Sequence, residues 1–223
     1  TLHTKIVLVT TLALILVGGL LLLLFEYDNP QTIGEMSLFD KIQVALFQSV
    51  TTRTAGFFTV SQTDITSGTY ILSLILMFIG GSPVGTAGGI KTVTVAVLAV
   101  TAYSVITGRN EVVLFDRSLK RYVTRKAVAV AAMSFSIMTI STLLLCAVSD
   151  ASLLDILYET VSATATVGLT RNFTPTLNLL GKLIVICTMY LGRIGPISLA
   201  IAFAYGREKE NNIKYPSEEI SVG

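Results

Sequence analysis

Histidine is almost absent from this sequence. Only His3 occurs, so no histidine-based metal site or catalytic triad can be assembled from these 223 residues. Charge is scarce too. Charged residues make up 13% of the chain, about half of the roughly 25% carried by ordinary soluble domains. That deficit argues against a water-soluble core. The formal net charge of +2 is too small to suggest nucleic acid as a partner. The two cysteines, Cys146 and Cys187, sit inside apolar runs and read as buried, reduced thiols used as small hydrophobes. No cleavable signal pattern precedes the first apolar run, and the first residue is Thr1, so the start reads as internal to a longer polypeptide.

What is abundant is apolar surface: 52% of residues are hydrophobic and the mean hydropathy is +0.73. A helix needs about 20 apolar residues to cross roughly 30 Å of hydrocarbon. Two uncharged segments meet that demand, Ile6 to Phe25 and Ala127 to Val148. A third apolar segment runs from Tyr70 to Ile106, and as one helix it would exceed about 50 Å, too long for a single crossing. It is interrupted by Gly80, Gly81, Ser82, Pro83, Val84, Gly85, Thr86, Ala87, Gly88, Gly89, Ile90 and Lys91. Repeated glycine and a proline cannot hold a helix there, which predicts two half-helices joined by a loop at membrane depth. Such backbone is tolerated only where protein shields it or where it lines a wet cavity. A fourth segment, Leu177 to Ala204, carries Gly192-Arg193-Ile194-Gly195-Pro196 in its middle, and the arginine there must face something polar.

Two amphipathic stretches, Leu38 to Val50 and Leu153 to Ala163, are too short to span and predict re-entrant helices. Each runs directly into a Thr/Gly loop: Thr51-Thr52-Arg53-Thr54-Ala55-Gly56-Phe57 and Thr164-Ala165-Thr166-Val167-Gly168-Leu169. The order of long helix, short helix, Thr/Gly loop and broken helix therefore occurs twice. Adding 112 to Thr52, Thr54 and Gly56 gives Thr164, Thr166 and Gly168. The same shift takes Met77-Phe78-Ile79-Gly80 to Met189-Tyr190-Leu191-Gly192. One offset held across a loop and the helix after it marks an internal duplication.

Basic residues set the expected orientation. The connection between the repeats holds Arg109, Arg117, Lys120, Arg121, Arg125 and Lys126, and the tail adds Arg207, Lys209 and Lys214. Both are expected on the cytoplasmic side. The opposite stretches, Glu26 to Asp40 and Asp150 to Asp155, are mainly acidic. The resulting division is a first repeat at 1–108, a cytoplasmic connection at 109–125, a second repeat at 126–206 and a cytoplasmic tail at 207–223.

The Thr/Gly loops suit one chemistry. A dehydrated potassium ion needs its water shell replaced by oxygen, and stacked backbone carbonyls supply it without net charge. Glycine serves where that backbone takes conformations forbidden to other residues. Thr54-Ala55-Gly56 and Thr166-Val167-Gly168 fit the demand, and the second contains the Thr-Val-Gly of potassium-channel filters. The re-entrant helices would aim their partly negative C-terminal ends at the cation. Backbone carbonyls of Thr52, Arg53, Thr54, Ala55 and Gly56, and of Thr164, Ala165, Thr166, Val167 and Gly168, are thus the candidate ion ligands.

Here a resemblance enters. Ser49 to Phe57 resembles the third filter segment, and Ser162 to Thr170 the fourth, of the bacterial Ktr-type subunit in the Ktr/Trk/HKT potassium transporter superfamily. The loop Gly80 to Lys91 is similar to that family's intramembrane gating loop, and Leu191 to Pro196 resembles the fourth-repeat helix whose arginine faces the pore. The resemblance covers essentially the whole chain and implies the C-terminal half of a pore-forming subunit. It implies an all-α membrane protein, with two parallel repeats forming half of a four-repeat, potassium-channel-like pore. The gate implied comprises Gly80, Gly81, Ser82, Pro83, Gly85, Thr86, Ala87, Gly88, Gly89, Lys91 and Arg193. The implied cargo is K+, with Na+ left open. The implied partners are the other two repeats, on the same polypeptide or a second chain, a cytoplasmic nucleotide-binding regulatory ring, and a second copy forming a homodimer in the cell membrane.

Three details stay open at this level. Arg53 needs a partner for its guanidinium, with Glu159 one candidate and an outer aqueous crevice the alternative. Arg193 is either an electrostatic barrier beside the gate or a structural arginine satisfied by helix carbonyls. Lys91 either snorkels to the cytoplasmic interface or takes part in gating.

Enzymatic readings fail on spacing. Gly88-Gly89-Ile90-Lys91-Thr92 lacks the Gly-Lys-Ser/Thr ending of a phosphate-binding loop, since Ile90 intervenes and both flanks are membrane helices. An intramembrane protease would need a Ser/His pair or two aspartates within the spans, and neither is present. A secondary transporter with a midplane cation site is the alternative, because broken helices are common there. Those repeats are often inverted, whereas these two run parallel. A plain membrane anchor would have no use for the repeated Thr/Gly loops.

Overall fold

The structure is a computed structural model describing residues 1–83, 87–109, 111–115 and 117–195. Expectations that fall on Gly85, Thr86, Pro196 and the tail lie outside the described residues. Two long apolar helices, α1 (Leu2–Glu26) and α5 (Arg121–Val148), each open a unit. With 25 and 28 residues they reach roughly 37 and 42 Å, enough to cross a bilayer. After α1 come α2 (Leu38–Thr51), α3 (Ser67–Phe78) and α4 (Thr92–Ile106). After α5 come α6 (Leu153–Thr164), a 3-10 turn at Thr174–Thr176, and α7 (Leu179–Ile194). A small antiparallel hairpin, β1 (Val113–Leu114) and β2 (Arg117–Ser118), lies in the connection. Nothing in the sequence pattern announced it.

The two units share their capping chemistry. Ser37 and Ser152 cap α2 and α6, each accepting from the backbone N–H three residues on, at Asp40 and Asp155. Each serine hydroxyl also donates to that aspartate's carboxylate, which suits the positive end of a helix. Thr66 and Asn178 cap α3 and α7 in the same way, 112 residues apart. The caps of α2 and α6 are 115 apart instead. The first short helix, at 14 residues against 12, is about half a turn longer than the second, a difference the 112-residue repeat of the loops concealed.

The third segment does break into two half-helices, α3 and α4. The helix stops at Phe78 because Pro83, in a continued helix, would clash with the carbonyl of Ile79 four residues earlier. In the second unit the corresponding residues, Leu191 to Ile194, stay helical, and α7 ends at Gly195 with φ +82°. Gly192 and Arg193 thus lie on α7, which ends inside the Gly192 to Pro196 run.

Small residues let the helices approach. A Cβ on Gly18 of α1 would lie 2.6 Å from Ser49 Oγ, and one on Gly19 would lie 2.9 Å from Leu46. Ser49 Oγ donates to the Leu14 and Ile15 carbonyls, fixing α2 against α1. Close packing of this kind joins helices inside a bilayer, where water exclusion gives no drive. Hydroxyl pairs Ser141–Thr188 at 2.7 Å and Thr142–Thr160 at 2.9 Å tie α5 to α7 and α6. The units join where Tyr70 and Met77 of α3 pack on Tyr158 and Val161 of α6, beside Ala165, Val167 and Leu169.

The cysteines correct one expectation. Cys146 and Cys187 are exposed, not buried. On a membrane helix an apolar run continues over the outward face, so apolar sequence neighbours do not imply burial within the protein.

Candidate functional site

Both Thr/Gly loops leave the C-terminal ends of their short helices and adopt the same unusual backbone. Thr54 and Gly56 have φ of +74° and +78°; Thr166 and Gly168 have +55° and +96°. The repeat is thus obeyed in dihedral angles as well as in sequence. Left-handed backbone at alternate residues turns successive carbonyls toward one side of the strand. For a β-branched threonine that conformation costs about 1–2 kcal/mol, and such strain clusters at functional sites.

The loops are held by their donors. Ala55 and Gly56 N–H groups donate to the Thr51 carbonyl at 3.1 and 3.3 Å. Thr51 Oγ1 accepts from Phe57 N–H at 2.9 Å and donates to the Phe57 carbonyl. In the second loop Val167 N–H donates to the Ser162 carbonyl at 2.8 Å, and Gly168 N–H to Ser162 Oγ at 3.1 Å. Among the described residues, no carbonyl of Arg53 to Gly56 or of Ala165 to Gly168 accepts a hydrogen bond. Backbone oxygens in protein rarely stay unpaired, so these two rows are free to serve as ligands. The loops also touch: a Cβ on Gly56 would overlap the Val167 carbonyl oxygen and lie 3.5 Å from Gly168 Cα. That contact and the positive φ both require glycine at 56.

The glycine-rich segment lies against the second loop. A Cβ on Gly88 would lie 2.6 Å from the Ala165 carbonyl oxygen, and one on Gly89 would lie 3.3 Å from Ala165 Cβ. Its arms are pinned together by Ile90 N–H donating to the Phe78 carbonyl at 3.1 Å and Thr92 N–H to the Gly81 carbonyl at 3.2 Å. A Cβ on Gly80 would overlap the Gly88 carbonyl oxygen. Lys91 Nζ donates to the Ala87 carbonyl, closing the loop on itself rather than reaching outward. Arg193, exposed at the end of α7, is close enough to Lys91 for the two cations to repel. Gly192 beside it packs on the last turn of α6, where a Cβ would lie 2.9 Å from the Thr164 carbonyl carbon. The Gly80–Pro83 and Ala87–Lys91 arms, Arg193 and the Ala165–Thr166 end of the second loop therefore converge.

Arg53 does not pair with Glu159. The Glu159 carboxylate is buried and accepts instead from the Thr170 and Thr174 hydroxyls, both at 2.7 Å. These neighbours lie on its own loop, so local reach wins over a partner in the other unit. The Arg53 guanidinium is half-buried, with Nε unpaired among the described residues.

The sequence did not single out the polar frame behind the loops. Buried Gln62 Oε1 accepts from Gln48 Nε2 of α2 and from the Tyr158 hydroxyl of α6, each at 2.8 Å. Arg171 reaches across to the other unit, and its partner Asp155 sits at the start of α6 with Nε···Oδ1 at 2.9 Å. Partial desolvation works to raise the Asp155 carboxyl, but Ser152 and Arg171 outweigh it and hold the group below the usual carboxylate range. In the first unit, buried Glu26 accepts from Asn29, Thr32 and Thr66, tying the C-terminal end of α1 to the start of α3. A charged or amide residue at the boundary of an otherwise apolar helix was the signal available for Glu26 and Asp155. Gln62 and Arg171 sit in polar stretches that offer none.

The TrkH cation transport protein profile matches residues 1–215. The chain belongs to that family. Among curated relatives, the TrkH-family chain is 40% identical to Ktr system potassium uptake protein B of Bacillus subtilis, over all of this chain and 49% of that protein. It is 32% identical to potassium/sodium uptake protein NtpJ of Enterococcus hirae, over all of this chain and 50% of that one. The crystal structure of the potassium transporter TrkH from Vibrio parahaemolyticus superposes with a TM-score of 0.71, covering 90% of this chain and 43% of that one at 22% identity. That superposition shows the fold. This TrkH-family chain is accordingly an all-α, multi-pass membrane protein, and it spans about half the length of the curated relatives it matches.

Proposed function

We propose that the chain forms two sides of a potassium-selective pore used for potassium uptake, with the Thr52–Gly56 and Thr164–Gly168 carbonyls as ion ligands. The observation that carries this reading is the pair of loops with left-handed backbone at matching positions, most of their N–H groups tied back and their carbonyls unpaired among the described residues. Rings of such oxygens replace a hydration shell. The names of the relatives supply the cargo: potassium uptake for one, potassium and sodium for another. The parallel order of the two units favours a channel-like path over a secondary transporter with a midplane site.

In this reading the Gly80–Lys91 loop, with Lys91 and Arg193, gates the path from below. The close approach of Gly88 to Ala165 and Thr166 supports that placement. The other two sides of the pore come from the remaining half of the subunit or from a second chain. The regulatory ring and the homodimer follow from the family resemblance, with the basic connection 109–125 on the cytoplasmic side.

The test is ion uptake by the full-length transporter in bacteria deficient in potassium uptake. Gly56→Ser and Gly168→Ser each place a side chain at a positive φ, and at Gly56 against the Val167 carbonyl. Both variants should admit sodium more readily, with a several-fold smaller preference for potassium. An unchanged preference in both, at matched protein level, would overturn the assignment of the loops.

A further inference from the structure

Arg171 lies three residues after Gly168, where the second loop emerges, and is partly buried. Its guanidinium has four partners from both units. Nε donates to Asp155 Oδ1 at 2.9 Å, within its own unit. Nη1 donates to the Gln62 carbonyl at 2.8 Å and Nη2 to the Thr63 carbonyl at 3.3 Å, on the irregular segment following the first loop. The same group sits 5.4 Å from the centre of the Tyr70 ring, at the start of α3. Tyr70 in turn donates to the Leu154 carbonyl beside Asp155. One side chain thus links the exit of the second loop, the start of α6, the exit of the first loop and the start of α3.

The two loops themselves meet through backbone alone, at Gly56 and Val167–Gly168. No hydrogen bond crosses between them at that contact among the described residues. Their spacing must therefore be set by what surrounds them, and on the outer side that is the Arg171 network and Gln62. A planar fork with donors in three directions holds a carboxylate and two carbonyls at fixed separation, which an ammonium on a flexible stem cannot do.

We infer that Arg171 is a positioning residue for ion selection: it clamps the outer ends of the two loops at the spacing their carbonyls need. It touches no ion. The inference rests on the loops being the potassium ligands. Loosening the clamp should make the carbonyl ring compliant, which lowers affinity and discrimination more than throughput.

The experiment uses the full-length transporter in uptake-deficient cells, with potassium and sodium uptake measured at matched membrane protein. Arg171→Gln should raise the KM for potassium several-fold and reduce the potassium-over-sodium preference several-fold, with maximal rate within about twofold. Arg171→Lys should recover only part of the loss, since it can keep Asp155 but not both carbonyls. Asp155→Asn should resemble Arg171→Gln, and the double variant should be no worse than the poorer single, as expected for groups acting through one contact. Normal KM and preference in Arg171→Lys and Arg171→Gln would overturn the clamp. If Arg171→Gln fails to reach the membrane, normal values in Arg171→Lys alone overturn it. A wild type without preference for potassium would instead sink the reading of the loops, so the two failures are distinguishable.

Discussion

Thr54 and Thr166 show how little of the site is individually unusual. Each is an ordinary residue placed in backbone that resists it, and the tie-backs to Thr51 and Ser162 over-determine the conformation. The Thr-x-Gly spacing was legible because left-handed backbone next to glycine is a local demand. Glycine roles set by distant contacts were not. Gly192 is needed because α7 crosses the last turn of α6 with Thr164 in direct contact, and no local pattern records that crossing. Gly192→Ala should push the end of α6 away and cost about 1–3 kcal/mol, as other overpacked sites do. In detergent the variant should melt several degrees lower than wild type, and uptake should fall. A control, Gly108→Ala, meets open space, although its φ of +63° makes some strain unavoidable. Equal melting of Gly192→Ala and wild type would show that the crossing yields freely.

At the scale of elements, the sequence was read well where periodicity and breakers act within one segment. The limits of α2 and α6 fell within a residue of expectation because their serine caps and Thr/Gly exits are local signals. The break after Phe78 followed from Pro83 and its glycines. In the second unit α7 continues through Gly192 and Arg193, because a lone glycine weakens a helix by only about 1 kcal/mol. That difference gives α3 and α7 different C-terminal ends: a loop after one, a helix tip with an arginine in the other. Lys91 and Arg193 are close enough to repel, and they follow Gly88 and Gly192, which approach Ala165–Thr166 and Thr164. At an effective dielectric near 20, a unit charge about 6 Å from a potassium ion repels it by roughly 3 kcal/mol. Passage would slow on the order of a hundredfold, other barriers unchanged. If loop and arginine gate the proposed pore, Arg193→Ala, and a variant shortened between Gly81 and Gly89, should each pass potassium faster at matched protein level and depend less on the proposed regulatory ring. Equal or lower flux in both, with normal melting, would show that loop and arginine merely hold the helices.

For the molecule as a whole, the repeat turns one buried interface into an expectation about two open ones. Leu74, Met77 and Phe78 of α3 pack on α6, with Met77 fully buried. Shifted by 112, they become Ile186, Met189 and Tyr190 of α7, which are 58%, 47% and 67% exposed. The outer face of α2 is likewise uncovered at Phe39, Ile42, Phe47 and Val50, whereas α6 is enclosed along most of its length. The chain thus carries one used copy and one unused copy of each half of the same contact. The unused α7 face fits another short helix of the α2 type, and the unused α2 face fits another helix of the α3 type. Hydropathy could not separate such faces from lipid-facing ones, because both are apolar. Tryptophan separates them, since a bulky ring is absorbed by fluid lipid and rejected by a packed interface. Met189→Trp and Phe47→Trp should abolish most uptake and leave the transporter prone to dissociate or aggregate in detergent. Leu16→Trp, on the exposed face of α1, should retain uptake within about twofold. The readouts are uptake at matched protein level and size-exclusion profile. Full activity and a normal profile in both Met189→Trp and Phe47→Trp would mean that these faces meet lipid, and that the remaining sides of the pore are arranged differently from the interface seen between α3 and α6.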